Sequence, residues 1–353
     1  MSTLNQTNVP YLDGWRGMAI ILVLIGHFGP ARFWYLGRLG VMLFFVLSGF
    51  FMARLLFIKK VPLSSFFAKR FSRIVPTLWL FIVVMYFYAR YGQPKPYVIP
   101  LDELLSTFLF MGTYFPAQIS IWAGNWSNGH LWSLNVEEHS YLFLAAGAFL
   151  IAKTRGRLST RMFMLGAVLA IMGVTLLYMT GLITDGTSPW RTHTEVAALG
   201  LIASAAISVL RNREQSGWFN TSPVVPIVAL AAAAITFNPR YAFLWNVSIL
   251  VAPVLAAVVV NHAENFPALI KQWMSLRILR WFGVCSFSIY LWQMPLFSRV
   301  LDGTISKPLG LVLGVALGTL SFYCFENPVR LYLNRRWAEH EMNQAARLGG
   351  IQA

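Results

Sequence analysis

Apolar runs long enough to cross a bilayer recur from one end of this 353-residue chain to the other, and they constrain it more than any other feature. A spanning helix needs about 20 mostly apolar residues. About ten runs qualify or nearly do: 16–30, 39–58, 72–90, 130–152, 162–183, 194–210, 223–238, 242–261, 278–298 and 308–325. Several are short or broken by Gly and Pro, which is tolerated where neighbouring helices cover the freed backbone groups. The expected fold is an all-α, polytopic transmembrane helical bundle of about ten spans. It would occupy residues 1–334, opening on a short polar segment, Met1–Pro10, and a basic amphipathic tail would follow over 335–353.

Composition agrees. Hydrophobic residues make up 57% of the chain and charged residues 12%, about half the charged share of an ordinary soluble domain. The net charge of +15 raises nucleic acid as a partner. Lysine and arginine in a multi-pass protein concentrate in cytoplasmic loops, however, so the lipid bilayer is the expected partner and nucleic acid is not. The two cysteines, Cys285 and Cys324, lie inside apolar runs and read as small core residues. No disulfide framework or metal-ligand spacing accompanies them. The first run has no basic segment before it and no small-residue cleavage site after it, so it reads as a retained helix. No internal repeat is visible, which weighs mildly against transport.

Charge also fixes the sides. A further run, Leu101–Phe115, is only about 15 residues long and opens with Asp102 and Glu103. If it does not span and the N-terminus is inside, the inner segments hold about 19 lysines and arginines against about 8 outside. If it did span, every later loop would change sides and the bias would invert. Residues 101–129 are therefore expected to form an outer re-entrant or surface-lying element, with both termini cytoplasmic. The tip, 122–129, is rich in turn formers and aromatics; Trp122 and Trp126 suit sugar stacking or an interfacial belt.

Several polar groups are too costly inside a membrane to be incidental. His27 follows Arg16 on the same helix face, about 16 Å further along the axis. Singly, Arg16 reads as a snorkelling anchor and His27 as a satisfied core histidine; the shared face and the small neighbour Gly26 favour function. In the second run Phe45, Ser48 and Gly49 share a face that lets another helix or a thin ligand approach, helix packing being the simpler reading. Arg70 and Arg73 sit one turn apart. Two guanidiniums so placed can fork onto phosphate oxygens, although topogenic charge explains them as well. The fourth run opens with His130, Trp132, Ser133, Asn135, Glu137, Glu138, His139, Ser140 and Tyr141. His130, Ser133, Glu137 and Ser140 fall on one stripe, Asn135 and Glu138 on another. Either a stripe faces a polar cavity or the groups form a network that pins helices. No His-x-x-x-His pair completes a zinc site. Later come the polar-aromatic stretch Phe282–Pro295 and, at the end of the last run, Glu326 and Arg330, spaced to pair at i, i+4.

Together these blocks resemble the acyltransferase-3 family of membrane acyltransferases, from Tyr11 to about Arg330. Arg16 and His27 are similar to the family's pattern of an arginine, ten residues, then a histidine. Phe44, Phe45, Ser48 and Gly49 resemble its Phe-Phe-x-x-Ser-Gly block, and Arg70 and Arg73 its Arg-x-x-Arg. Trp132–Glu138 resembles its Trp-Ser-Leu-x-Val-Glu-Glu, while Tyr290–Trp292 and Glu326–Pro328 resemble its late Tyr-Leu-Trp and Glu-Asn-Pro elements. Two positions depart. His139 stands where members often have Gln, and Gln293 where they often have His, so no catalytic group is expected at 293. The fused extracytoplasmic hydrolase-like domain of some members is not expected here.

The resemblance implies transfer of an acyl group, usually acetyl from acetyl-CoA, to a hydroxyl of a cell-surface or exported glycan or lipid-linked sugar, such as O-antigen lipopolysaccharide or exopolysaccharide. The setting would be the bacterial cytoplasmic (inner) membrane. Acetyl-CoA would be the donor substrate, and no metal is expected. On that footing Lys69, Arg70 and Arg73, with Ser48, hold the coenzyme A, the cations on its phosphates. Arg16 guides the pantetheine or polarises the thioester carbonyl. His27 acts as general base on the acceptor hydroxyl, or alternatively attacks the thioester and carries the acyl group itself. Glu137 or Glu138 orients a histidine or binds sugar hydroxyls, and His130, Trp132, Asn135 and Tyr141 bind the acceptor. The chief rival is a transporter or flippase for a lipid-linked sugar without catalysis. A second is a scaffold or sensor whose polar groups only lock helices together.

Overall fold

The computed structural model describes residues 10–93, 96–115, 126–154, 158–183, 190–213, 222, 224–236 and 242–349, and these are all-helical, with no strand among them. In chain order the helices are α1 (Pro10–Phe28), α2 (Tyr35–Ala53), α3 (Leu63–Tyr91), α4 (Leu101–Phe108), α5 (Trp132–Lys153), α6 (Thr160–Met179) and α7 (Thr194–Ala197). Then follow α8 (Leu199–Arg213), α9 (Val224–Thr236), α10 (Ala242–Asn261), α11 (Ala268–Met274), α12 (Arg277–Leu301), α13 (Lys307–Ser321) and α14 (Asn327–Gly349).

Every apolar run read from the sequence overlaps a helix. Among the described residues, 4 helical stretches are long and apolar enough to cross a membrane: Ala31–Ile58, Leu63–Tyr91, Thr160–Met179 and Lys307–Asn343. Helices α1, α5 and α12 have 19, 22 and 25 residues yet fall outside that set. They carry polar groups along their length, Arg16 and His27 on α1, Glu137 and Glu138 on α5 and Gln293 on α12, and such groups in apolar helices face a cavity or a partner. Helix α4 has 8 residues, about 12 Å of length, against a hydrocarbon core of about 30 Å. Residues 116–125, with Trp122, lie outside the described residues.

Small residues set how closely the helices approach. A Cβ on Gly17 would lie 1.9 Å from the Leu279 carbonyl oxygen, and one on Gly283 would lie 2.0 Å from that of Asp13. Helices α1 and α12 therefore touch backbone to backbone, which brings the Arg16 and His27 face against Ser286, Tyr290 and Gln293. Gly49 does the same for α2 and α8: its Cβ would meet the Leu201 carbonyl oxygen at 2.0 Å. Gly17→Ala is expected to force α1 and α12 apart at a cost of about 1–3 kcal/mol, read as a lower melting temperature of the purified protein.

Three local arrangements differ from the sequence reading. Trp126 is neither a stacking platform nor a belt residue; it is fully buried, and its indole N–H donates to Glu103 Oε1 at 2.7 Å. A buried indole needs such a partner, and Glu103 also accepts from Tyr97 at 3.1 Å. Glu326 does not pair with Arg330. The π turn Phe322–Glu326 changes the helix register there, and Glu326, buried, accepts from Ser288 Oγ at 2.6 Å, while Arg330 donates to Asn327 at 2.8 Å. On the same turn Cys324 is exposed, whereas Cys285 is buried as expected. Helix α14 is continuous from Asn327 to Gly349. It is docked on α3: Ser72 Oγ donates to Asn334 at 2.9 Å and Ser65 donates to Glu341.

Candidate active site

Helices α1, α2, α3, α5 and α12 converge on a cavity of about 70 Å³. Its polar lining is Arg16 from α1, Ser48 from α2, Arg70 and Arg73 from α3, Ser133 and Glu137 from α5, and Ser286 and Tyr290 from α12. Helices α3, α5 and α12 each supply two of these groups, three or four residues apart, so one face of each meets the cavity. Phe44 and Phe45 close it on the α2 side.

One wall is a clamp. Arg70 Nη2 donates to Glu137 Oε2 at 2.9 Å and Nε to Glu138 Oε1 at 3.1 Å. Ser48 Oγ donates to the other Glu137 oxygen at 2.6 Å, and the guanidinium lies 3.9 Å from the Tyr141 ring centroid. The three charged side chains are only 11%, 12% and 19% exposed, so water cannot replace these bonds. A single planar fork thus neutralises the two adjacent carboxylates and ties α2, α3 and α5 together. This changes the expected donor site. Arg70 is committed to carboxylates rather than pointing a free fork at phosphate, and Ser48 serves the same clamp. Lys69 is exposed and does not line the cavity, because one residue of helical rotation carries it away from the Arg70 and Arg73 face.

Arg16 and Arg73 are different. Both line the cavity, and neither makes an ion pair among the described residues. Arg16 stacks on the Phe51 ring at 4.8 Å. Arg73 has a buried Nε with no hydrogen-bond partner. A buried, unpartnered guanidinium nitrogen is costly, and an electron-rich ligand oxygen would relieve that cost.

Beyond Tyr290 a hydrogen-bonded run leads to His27. Tyr290 bonds the Ser133 hydroxyl at 2.7 Å and donates to the His130 carbonyl at 2.8 Å. One turn on, Gln293 is fully buried; its amide N–H donates to the Tyr290 carbonyl at 3.4 Å. That orientation turns its carbonyl oxygen toward His27 Nδ1, 2.8 Å away. An acceptor at Nδ1 puts the proton there and leaves the Nε2 lone pair available. The imidazole is held flat against Phe297, with ring centroids 4.5 Å apart. Sequence reasoning passed over Gln293 because an amide is no acid or base. The available signal was a primary amide in an apolar helix one turn from Tyr290, which needs a partner there.

None of the four residues expected to bind the acceptor lines the cavity. His130 is buried between Phe81 and Tyr290, at centroid distances of 5.6 and 5.2 Å. Trp132 packs edge-on against Phe45 at 5.8 Å. Asn135 is buried, and with its oxygen turned to the Gly112 and Thr113 N–H groups at 3.3 and 3.2 Å it anchors that turn to α5. Tyr141 is buried under Arg70. Packing pulls these side chains inward because neighbouring helices and turns surround the N-terminal half of α5. His139, on the far side of α5, bonds Thr194 Oγ1 at 2.8 Å. Next to it Tyr114 donates to Glu195 at 2.6 Å; burial and that bond push its phenol up to about 12, so it remains a donor. No group of His, Cys, Asp or Glu suited to a metal ion occurs among the described residues.

A helical membrane protein with a guanidinium-lined intramembrane cavity and an oriented histidine defines a class that handles a polar group inside the bilayer. Comparison narrows the class: the profile of a family described as an acyltransferase domain matches residues 9–326. The chain belongs to this acyltransferase-3 family. Among its relatives, the peptidoglycan O-acetyltransferase of Listeria monocytogenes is 25% identical over 360 residues, covering 91% of this chain and 56% of the relative. An O-acetyltransferase of Staphylococcus aureus is 23% identical over 348 residues, covering 91% and 57%. The chain thus spans little more than half the length of the curated relatives it matches. No solved structure matches it.

Proposed function

We propose that this chain transfers an acetyl group from cytoplasmic acetyl-CoA to a hydroxyl of a cell-surface or exported glycan. The observation that carries this reading is His27, oriented by Gln293 at the end of a hydrogen-bonded run from a cavity that Arg16 and Arg73 line. The acceptor of the Listeria monocytogenes relative makes a peptidoglycan-like glycan the first to test. The accompanying topology is about ten spans in a bacterial cytoplasmic membrane, both termini inside and residues 101–129 outside; the lysine and arginine bias supports it.

The chemistry follows from the groups present. Arg16 and Arg73 guide the pantetheine arm, so the thioester carbonyl reaches the level of Tyr290. The acceptor hydroxyl loses its proton to His27 Nε2 as its oxygen bonds the acetyl carbon. The carbon–sulfur bond then breaks, and the thiolate takes up the proton. Gln293 is a positioning residue in this scheme, because its carbonyl keeps the proton of neutral His27 on Nδ1.

Mass analysis of surface glycan from cells with and without the protein tests the reading. Loss of acetyl-sized mass is expected on deletion, and an unchanged glycan would overturn it. A flippase, by contrast, would move its sugar without being thermally stabilised by coenzyme A. Gln293→Leu is expected to lower kcat on the order of 10–100-fold while leaving KM for acetyl-CoA unchanged. A lowered melting temperature with intact kcat would make Gln293 a packing residue only.

A further inference from the structure

The cavity between Arg16 and Arg73, at about 70 Å³, is far too small for a nucleotide. A second pocket, of about 320 Å³, opens where the N-terminal end of α1 meets the C-terminal ends of α2, α8 and α10. Its polar lining includes Tyr11, Arg54, Arg211, Asn212, Asn261 and Glu264.

The charges there are arranged for an anion. Arg211 is fixed: it donates to the Asn261 carbonyl and pairs with Glu264 at 2.5 Å. Lys271 adds a third cation close by, donating to the Glu264 backbone oxygen at 3.0 Å. Among the described residues, Glu264 is the one carboxylate lining this pocket, paired with Arg211, and its side chain is 59% exposed. Arg54 is exposed, and its guanidinium makes no hydrogen bond or ion pair among the described residues and rests over the Phe50 ring at 5.1 Å. A preoriented guanidinium without a carboxylate partner is the group that phosphate oxygens take up in a fork.

The two pockets are neighbours on one helix. Ser48 on α2 lines the small one, and Arg54, which opens the π turn Arg54–Ile58 continuing α2, lines the large one, six residues or about 9 Å further along the axis. Between them Phe50 and Phe51 stand edge to face at 5.5 Å, with Arg54 on the first ring and Arg16 on the second. Since Arg70 and Lys69 are unavailable in the small cavity, the phosphates of a coenzyme A donor need another seat.

We propose that the pocket at Arg54, Arg211 and Asn212 holds the nucleotide phosphates of the acyl-CoA donor, while its thioester end reaches past Phe51 into the Arg16 and Arg73 cavity. This rests on the donor reading given above. The test uses the full chain in lipid nanodiscs, measuring binding of coenzyme A and of S-acetylpantetheine, which lacks the nucleotide. Arg54→Gln is expected to weaken coenzyme A binding by roughly tenfold or more and to leave S-acetylpantetheine binding unchanged. Asn212→Asp, which adds a repelling carboxylate at the rim, should act in the same direction. Both variants are compared at unchanged melting temperature without ligand. If wild type binds coenzyme A and both variants bind it equally well, this assignment fails and the donor reading stands. If wild type binds neither compound, the donor reading fails and takes this assignment with it. A third arm compares nanodiscs of phosphatidylglycerol with nanodiscs of phosphatidylcholine. Loss of stabilisation by the anionic lipid in Arg54→Gln, with coenzyme A affinity intact, would give the pocket to a lipid headgroup and overturn the proposal.

Discussion

His27→Ala is expected to reduce glycan acetylation on the order of 10²- to 10⁴-fold, the range for losing a positioned general base. The imidazole is partly exposed and packs on one face against Phe297, so its removal opens little core. The melting temperature should fall by far less than the rate does. Gln293 would lose its partner at Oε1 but keep the Tyr290 carbonyl. The measurement is acetyl transfer in membranes that hold equal amounts of wild type and variant. A variant that acetylates normally would remove His27 from the chemistry. A variant that simply unfolds, with wild-type activity in the surviving fraction, would make it a helix lock, as the scaffold reading requires.

Arg70→Ala should have the largest effect on stability. It leaves Glu137 and Glu138 adjacent, buried and without their shared cation. Breaking one side of a buried ion pair costs about 3–5 kcal/mol, and loss of the stack on Tyr141 adds to that. Thermal unfolding in detergent should show a large drop. Arg70→Lys should recover only part of it, since one ammonium cannot reproduce a fork that reaches both carboxylates. Combining Arg70→Met with Glu137→Gln and Glu138→Gln should restore much of the loss, because no buried charge is then left unpaired. An Arg70→Ala variant that melts like wild type but no longer binds coenzyme A would return Arg70 to the phosphate site.

The sequence made the helices legible and the roles of their polar residues much less so. Apolar runs of helical length mark a helix wherever they occur, so α1, α2, α3, α5, α6 and the later helices stand where hydropathy puts them. Spacing likewise grouped Arg70 with Arg73 and Ser133 with Glu137, and both pairs line one cavity. Spacing could not say which group bonds which. Arg70 and Arg73 look alike one turn apart, yet Arg70 reaches Glu137 and Glu138 across α5 and Arg73 does not. Gln293 looked like the loss of a functional residue. It becomes meaningful only because the contacts of Gly17 and Gly283 draw α12 close enough to α1 for its amide to meet His27.

By itself, then, the sequence determined that this is a helical membrane protein of the acyltransferase-3 family, and which faces of its helices are polar. The helices and their polar faces follow from local composition and periodicity, which each segment carries on its own, and the family from the resemblance of the motifs and the match over residues 9–326. Only the tertiary structure decided that one guanidinium is spent on two carboxylates while another keeps an unpartnered nitrogen, that His130 and Trp126 are buried, and that a basic pocket opens beside Arg54. Those outcomes depend on which side chains meet across helices, and a buried charge or hydrogen-bonding group is defined by its partner.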